Sequence, residues 1–239
     1  MAELPPPPER PRRQRAPSRR PALDQATIVD AALHVLDAEG LDAVTIRRVA
    51  EEAGTSGAAL YGYVRDKDEL VDLLLDRVIG EFDLTMLEED APWQQQLRMF
   101  MREGRRVFGA HRDIARASLG RVPQGERALV VTNAMVGIMR NAGLPDLVTS
   151  LAADLLALYM GAVAYEESLM AASGANAHSI MEFVLQLRAY LQALPPDRFP
   201  HLVALAEPLT TFSPERDDRF EFGLDVLIAG IEAQASPSQ

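Results

Sequence analysis

"TIRRVAEEAGTSGAALYGYVRDKDEL", residues 45–70, decides the fold of this chain. Ile46, Val49, Ala50 and Ala53 recur at i, i+3, i+4 and i+7, which is one face of a helix. Thr45 is its cap and Gly54 its stop. Ser56 is placed to cap a very short second helix, "GAALYGY", which Gly62 weakens. Asp66 and Glu69 then form a capping box, with Asp66 as N-cap, opening a third helix that runs to about Gly80. Upstream, "LDQATIVDAALHVLDAEG" (23–40) puts Ile28, Ala32, Val35 and Leu36 on one face, with Asp24 as N-cap and Gly40 as stop.

Two short helices joined by a glycine-led turn, at about 45–53 and 57–63, make a helix-turn-helix candidate. The second helix of such a unit enters the DNA major groove. That reading gives the small residues a purpose. Gly57, Ala58 and Ala59 let a backbone come close to DNA, while Leu60 and Val64 face inward and hold the helix on its scaffold. Thr55, Ser56, Tyr61, Tyr63 and Lys67 can reach phosphates or base edges. Arg47 matches the two major-groove acceptors of guanine. Thr45, at the cap, completes this DNA-facing set. On pattern alone, an ordinary helical hairpin fits as well.

The rest of the chain also reads as helix. "PWQQQLRMFMREGRRVFGAH" (92–111) opens one with Pro92 in its first turn. Others are expected at about 124–141, 146–171, 178–193 and 215–234, punctuated by Pro123, Gly143 to Pro145, Gly174, Pro195-Pro196 and Pro214. With no sustained period-two run, the expected fold is all-α. Residues 22–66 read as one unit of short helices with tight turns, and 67–235 as a second unit of longer, more apolar helices.

The chain has 239 residues, a net charge of −11 and no cysteine, which excludes disulfides and thiolate metal sites. That suits a cytoplasmic protein. No apolar run reaches membrane-spanning length. Charge is uneven, because the first 20 residues hold Arg10, Arg12, Arg13, Arg15, Arg19 and Arg20 against only Glu3 and Glu9. Proline and arginine without apolar anchors cannot pack, so 1–21 is expected to be a disordered basic arm. It serves either as a nucleic-acid contact or as a solubilising tail.

Catalysis finds little support. "HRD" at 111–113 is shared with kinase catalytic loops, but Ser118 stands where their asparagine would, and no DFG or phosphate loop accompanies it. His34, His111, His178 and His201 are scattered over different elements. No cofactor or metal is expected.

The segment 215–234 is apolar almost all round. Glu221, Asp225 and Glu232 share one narrow stripe, and Phe220, Phe222, Leu224, Val226, Leu227, Ile228 and Ile231 cover the rest. "LLALYMGAVAY" (155–165) carries no charge. Either both helices self-associate or they are the central helices of a monomer. For a small ligand, the helices between 92 and 141 offer Trp93, Phe100, Phe108, Met135 and Met139. An apolar stripe of this kind is also what an ordinary core requires.

The stretch 45–70 resembles the DNA-binding domain of TetR-type repressors. The threonine-led helix, the alanine-glycine turn, the leucine-tyrosine pair at 60–61 and the lysine opening the next helix all match, over about 23–72. This resemblance implies a homodimer that binds a palindromic operator and is released by a small-molecule effector. "HRDIARASLGRVP" (111–123) and "FEFGLDVLIAGIEAQ" (220–234) resemble the C-terminal domain of tetracycline repressors. The resemblance also implies where that chemistry is missing. Ser118 stands in place of a magnesium-carrying histidine, Val122 of an arginine, and Tyr165 of a glutamate on the metal's water shell. Asp83 and Phe100 replace a drug-contacting histidine and asparagine. The scaffold is shared, and magnesium–tetracycline is not the expected ligand. By position, Asp83, Ser118 and Tyr165 join Trp93, Phe100, Met135 and Met139 as candidate effector contacts. The alternative to a repressor is a helical protein–protein adaptor with a vestigial helix-turn-helix.

Overall fold

The computed structural model describes residues 23–88, 90–122, 124–174, 176–211 and 218–235. The basic arm expected over 1–21, with Arg12, Arg13, Arg15, Arg19 and Arg20, lies outside the described residues apart from the chain's continuation at Leu23. Every regular element described is helical. In chain order they are α1 (Gln25–Glu39), a 3-10 turn (Leu41–Ala43), α2 (Ile46–Glu52), α3 (Gly57–Leu60), α4 (Lys67–Ile79), a second 3-10 turn (Thr85–Glu88) and α5 (Trp93–Ala110). Then follow α6 (Ile114–Ser118), α7 (Glu126–Asn141), α8 (Asp146–Ala172), α9 (Ala177–Gln192), α10 (Pro200–Ala204), α11 (Ala206–Leu209) and α12 (Asp218–Ala235).

The caps form where local chemistry demands them. Asp24 accepts from the Thr27 amide at 2.8 Å, Thr45 from Arg48 at 3.1 Å, Ser56 from Ala59 at 3.3 Å and Asp66 from Glu69 at 2.9 Å. Each satisfies an amide that the helix itself leaves without a partner. The expected capping box is displaced by one residue. Glu69 Oε2 takes the amide of Arg65 rather than that of the cap, at 2.5 Å.

One apolar core runs from Ile28 on α1 to Ile231 on α12. Ile28, Ala32, Val35 and Leu36 are all fully buried. α5 crosses α8 closely, since a side chain at Gly104 would collide with Met160. The acidic stripe of α12 is partly exposed, yet its carboxylates find their partners within the chain. It lies along α5, where Arg102 Nε meets Glu221 at 2.7 Å, Arg98 meets Asp225 at 2.5 Å and Gln94 meets Glu232 at 3.0 Å. Consequently α12 turns other side chains outward. Phe222 is 71% and Val226 54% exposed.

α8 spans 27 residues, and by length and composition it could cross a membrane, contrary to the expectation that no run is long enough. It packs instead on α5, α6, α7 and α12, and keeps one apolar stripe free: Leu147, Leu151, Leu155 and Leu158. α9, α10 and α11 pack on one another, with Arg188 donating to the Thr210 hydroxyl at 2.8 Å.

Candidate functional site

The helix-turn-helix is built from α2, a turn and α3. Val49 and Ala50 bury the inner face of α2, and Gly54 turns the chain with a positive φ of 65°. α3 is shorter than the 57–63 expected. Its α-helical part ends at Leu60, and 61–63 continue as a tight turn with amide bonds from Gly62 to Ala59 and from Tyr63 to Leu60. Gly62 explains this, since glycine is the poorest helix former after proline. Fully buried Leu60 and Val64 anchor the unit.

The candidate DNA-facing residues fall on this one contiguous surface segment. Ser56, Ala58 and Lys67 are exposed, Thr55, Gly57 and Ala59 half-buried, and Tyr61 is 61% exposed. Thr45 is occupied in capping α2. The Arg47 side chain is 91% exposed and touches Glu51 at 3.1 Å. Tyr63 behaves differently from the others. Its hydroxyl donates to the Leu23 carbonyl at 2.6 Å, which pins the start of α1 beside the recognition segment. Leu23 therefore lies against the candidate recognition segment, a contact invisible in sequence because it joins residues 40 apart.

A cavity of about 370 Å³ lies in the larger domain, walled by α4, α5, α7, α8 and the link from Ser118 to Val122. Phe82, Phe100 and Phe108 form its aromatic wall. Phe82 sits 5.4 Å from Phe100 in a tilted pair and 6.4 Å from Phe108 edge to face. Ser118 and Met135 line it as the sequence implied, and Ser118 donates its hydroxyl to the Ala115 carbonyl at 2.8 Å.

Four other candidates sit elsewhere. Met139 is fully buried core, and Tyr165 is half-buried against the core. Asp83 receives both the amide and the hydroxyl of Thr85, which hold its carboxyl below the usual range. Trp93 lines a separate, more open groove of about 680 Å³ with Gln96, Asn133 and Asn141. The aromatic cavity is the more enclosed of the two and the better candidate ligand site, because removing a ligand's surface from water needs walls on several sides. Phe82, Met160, Arg121 and Asp154 also line it, and sequence reading missed them. Phe82 and Asp154 stand alone on their segments, with no periodic pattern to flag them.

Two polar clamps tie this cavity to the DNA-binding unit. Arg121, at the cavity mouth, grips α4 through Asp72 at 2.6 Å and Asp68 at 2.8 Å. The segment 111–116 grips the end of α1. Arg116 pairs with Asp42 at 2.9 Å, Asp113 accepts the Leu41 amide at 3.0 Å, and Arg112 donates to the Ala38 carbonyl at 3.2 Å. His111 completes the clamp, reaching Asp37 on α1 and Glu81 beyond α4, both at 3.0 Å.

The chain is similar to known proteins over most of its length. Residues 28–74 match the family described as "Bacterial regulatory proteins, tetR family", and residues 87–235 match "Tetracyclin repressor-like, C-terminal domain". The HTH-type transcriptional repressor DrrR1 of Streptomyces coeruleorubidus is 31% identical over 91% of this chain and 81% of its own length. Tetracycline repressor class D of Escherichia coli is 26% identical over 89% of this chain and 90% of its own. The TetR family protein ActR of Streptomyces coelicolor, solved in complex with actinorhodin, superposes with a TM-score of 0.81. It is 40% identical and covers 91% of this chain and 99% of its own. This chain belongs to the TetR family, as a helix-turn-helix transcriptional regulator rather than an enzyme.

Proposed function

We propose that this protein is a homodimeric repressor that binds a palindromic operator and is released when a small molecule fills the aromatic cavity. The observation that carries this reading is the Arg121 clamp. One guanidinium joins the cavity mouth to the first turns of α4, the helix that starts directly after the recognition segment. A ligand that favours a different position of the 118–122 link therefore shifts α4 as well. Such a ligand displaces DNA only by as much as its affinity differs between the two arrangements. ActR, solved in complex with actinorhodin, supports a small-molecule ligand for a protein of this fold.

The dimer reading rests on exposed apolar surface. Leu151 is 63% exposed, and Leu147, Leu155 and Leu158 extend its stripe along α8, beside Phe222 and Val226 on α12. A groove between the two helices, lined by Val148, Leu151, Leu155, Val226 and Leu227, continues the patch. A contiguous apolar face of this size on a monomer is unfavourable in water, and a second copy covers it with the same face. Two recognition segments would then read two half-sites roughly 34–36 Å apart.

The test is a gel shift on the DNA flanking the gene, with Val226→Arg beside wild type in sizing chromatography. The exposed position tolerates the change within one chain. Dimer and shift should be lost together, and a soluble monomer with full operator affinity refutes the dimer. Failure of the wild type to shift any flanking DNA favours the adaptor alternative.

The effector is not magnesium–tetracycline. Ser118, its hydroxyl already given to Ala115, and Tyr165 stand where the resemblance to tetracycline repressors implies metal-handling side chains, and Val122 stands where it implies an arginine. Titration calorimetry with tetracycline and magnesium should show no tight binding, and a magnesium-dependent isotherm overturns this. The protein acts where bacterial DNA is, in the cytoplasm.

A further inference from the structure

The cavity carries one uncompensated charge. Two ionised side chains line it, Arg121 and Asp154. Arg121 is neutralised by Asp68 and Asp72. Asp154, on α8, makes no hydrogen bond or ion pair among the described residues, and it is exposed at the cavity wall. Of the hydroxyls, Ser118 gives its proton to Ala115, and Thr132 adds an uncharged group. Everything else that faces inward is apolar, aromatic or sulphur-bearing, including Phe82, Phe100 and Met160.

We propose that the effector is an aromatic cation, a flat and largely apolar molecule with a protonated amine that pairs with Asp154. This rests on the reading of the aromatic cavity as the effector site. The ring system is buried against phenylalanine and methionine, where aromatic faces also attract a nearby cation and methionine sulphur packs favourably on a ring. The amine stays at the wall, where Asp154 meets it in partly wet surroundings, so neither charge is stripped of water before it is paired. An anionic ligand fares worse twice. Its charge would lie beside Asp154, and it could gain Arg121 only by breaking the pair with α4. The net charge of −11 acts in the same direction at long range, drawing cations and repelling anions.

The test uses three probes with one ring system, so that only charge varies: 9-(aminomethyl)anthracene, 9-anthracenemethanol and 9-anthracenecarboxylate. Each is titrated by fluorescence into the full-length protein, its Asp154→Asn variant and a Leu119→Trp variant that narrows the cavity mouth. The amine should bind wild type at least tenfold more tightly than the carboxylate. Asp154→Asn should weaken the amine about tenfold, to near the alcohol, and leave the alcohol unchanged. Unchanged alcohol binding also shows that the variant is folded. Carboxylate binding as tight as amine binding, or an amine affinity indifferent to Asp154→Asn, overturns the cation assignment while the cavity reading stands, provided Leu119→Trp weakens all three. If no probe binds, or Leu119→Trp weakens none, the cavity reading fails and the cation assignment with it.

Discussion

Gly40 shows how much can depend on one residue. Its φ of 91° lies where side chains are strained, and a Cβ there would stand 2.8 Å from the Asp113 carboxylate. Asp113 itself holds a left-handed φ of 56°, which aspartate tolerates better than most residues. The two positions meet where α1 ends and the larger domain begins. Gly40→Ala should therefore cost about 1–3 kcal/mol, from strain and from displacing Asp113 off the Leu41 amide. Urea unfolding checks this, and an unchanged midpoint would show that the junction relaxes freely. In sequence, Gly40 reads only as a helix stop, and that much is right. Its second role stays hidden because Asp113 is over seventy residues away. The caps Asp24, Thr45, Ser56 and Asp66 are legible for the opposite reason. Their partners lie three residues on, and hydrogen-bond chemistry alone selects them.

Between elements, the balance of local and long-range information shifts. The long helices are legible, α1 from its 3.6-residue periodicity, α4 from its cap, and α5, α7, α8, α9 and α12 from their length between proline and glycine breaks. Short α6, α10 and α11 are not, because four or five residues cannot display a period. The acidic stripe of α12 is visible in sequence, but its destination on α5 is not, since charge patterning does not say which helix supplies the arginines.

The contact made by His111 belongs to this scale, as it joins α1, the end of α4 and the turn before α6. Burial would push its imidazole down, but hydrogen bonds to Glu81 and Asp37, and their charges, outweigh that and leave it above the ordinary value. Arg77, paired with Glu81 and Asp30, is the nearby cation on α4, and Arg112 donates its amide to Asp37. A group with a raised folded-state pKa stabilises fully below its unfolded value of about 6.5, and that contribution is lost as pH rises through the folded value. The thermal stability of wild type should therefore exceed that of His111→Gln by most at pH 6, with the margin shrinking toward pH 9. A margin independent of pH would mean that His111 contributes only by packing.

At the scale of the whole molecule, electrostatics poses the remaining problem. Residues 22–67 hold four basic side chains and eight acidic ones, a poor balance for approaching a polyanion. The structure sharpens this. Arg47 is paired with Glu51, Arg48 with Glu39 and Glu52, and Arg65 with Glu69, leaving Lys67 as the cation of this unit with no ion pair among the described residues. Exposed pairs of this kind are weak and can exchange a carboxylate for a phosphate, but the released carboxylates then face the DNA. A compensating charge has to come from elsewhere. The arginines at 10, 12, 13, 15, 19 and 20 precede Leu23, whose carbonyl Tyr63 holds beside the recognition segment. We propose that these arginines contact the minor groove next to the site, where narrow A·T tracts concentrate negative potential. Each phosphate neutralised adds about 0.9 to the slope of log K against log salt. Deleting residues 1–20 should flatten that slope by about one to four units and weaken binding to all sequences alike. Preference among operator variants should persist, because the proposed major-groove readout rests on α2 and α3. Equal slope and affinity with and without the arm would instead make it a solubilising tail, and would require the recognition unit to bind DNA against its own negative balance.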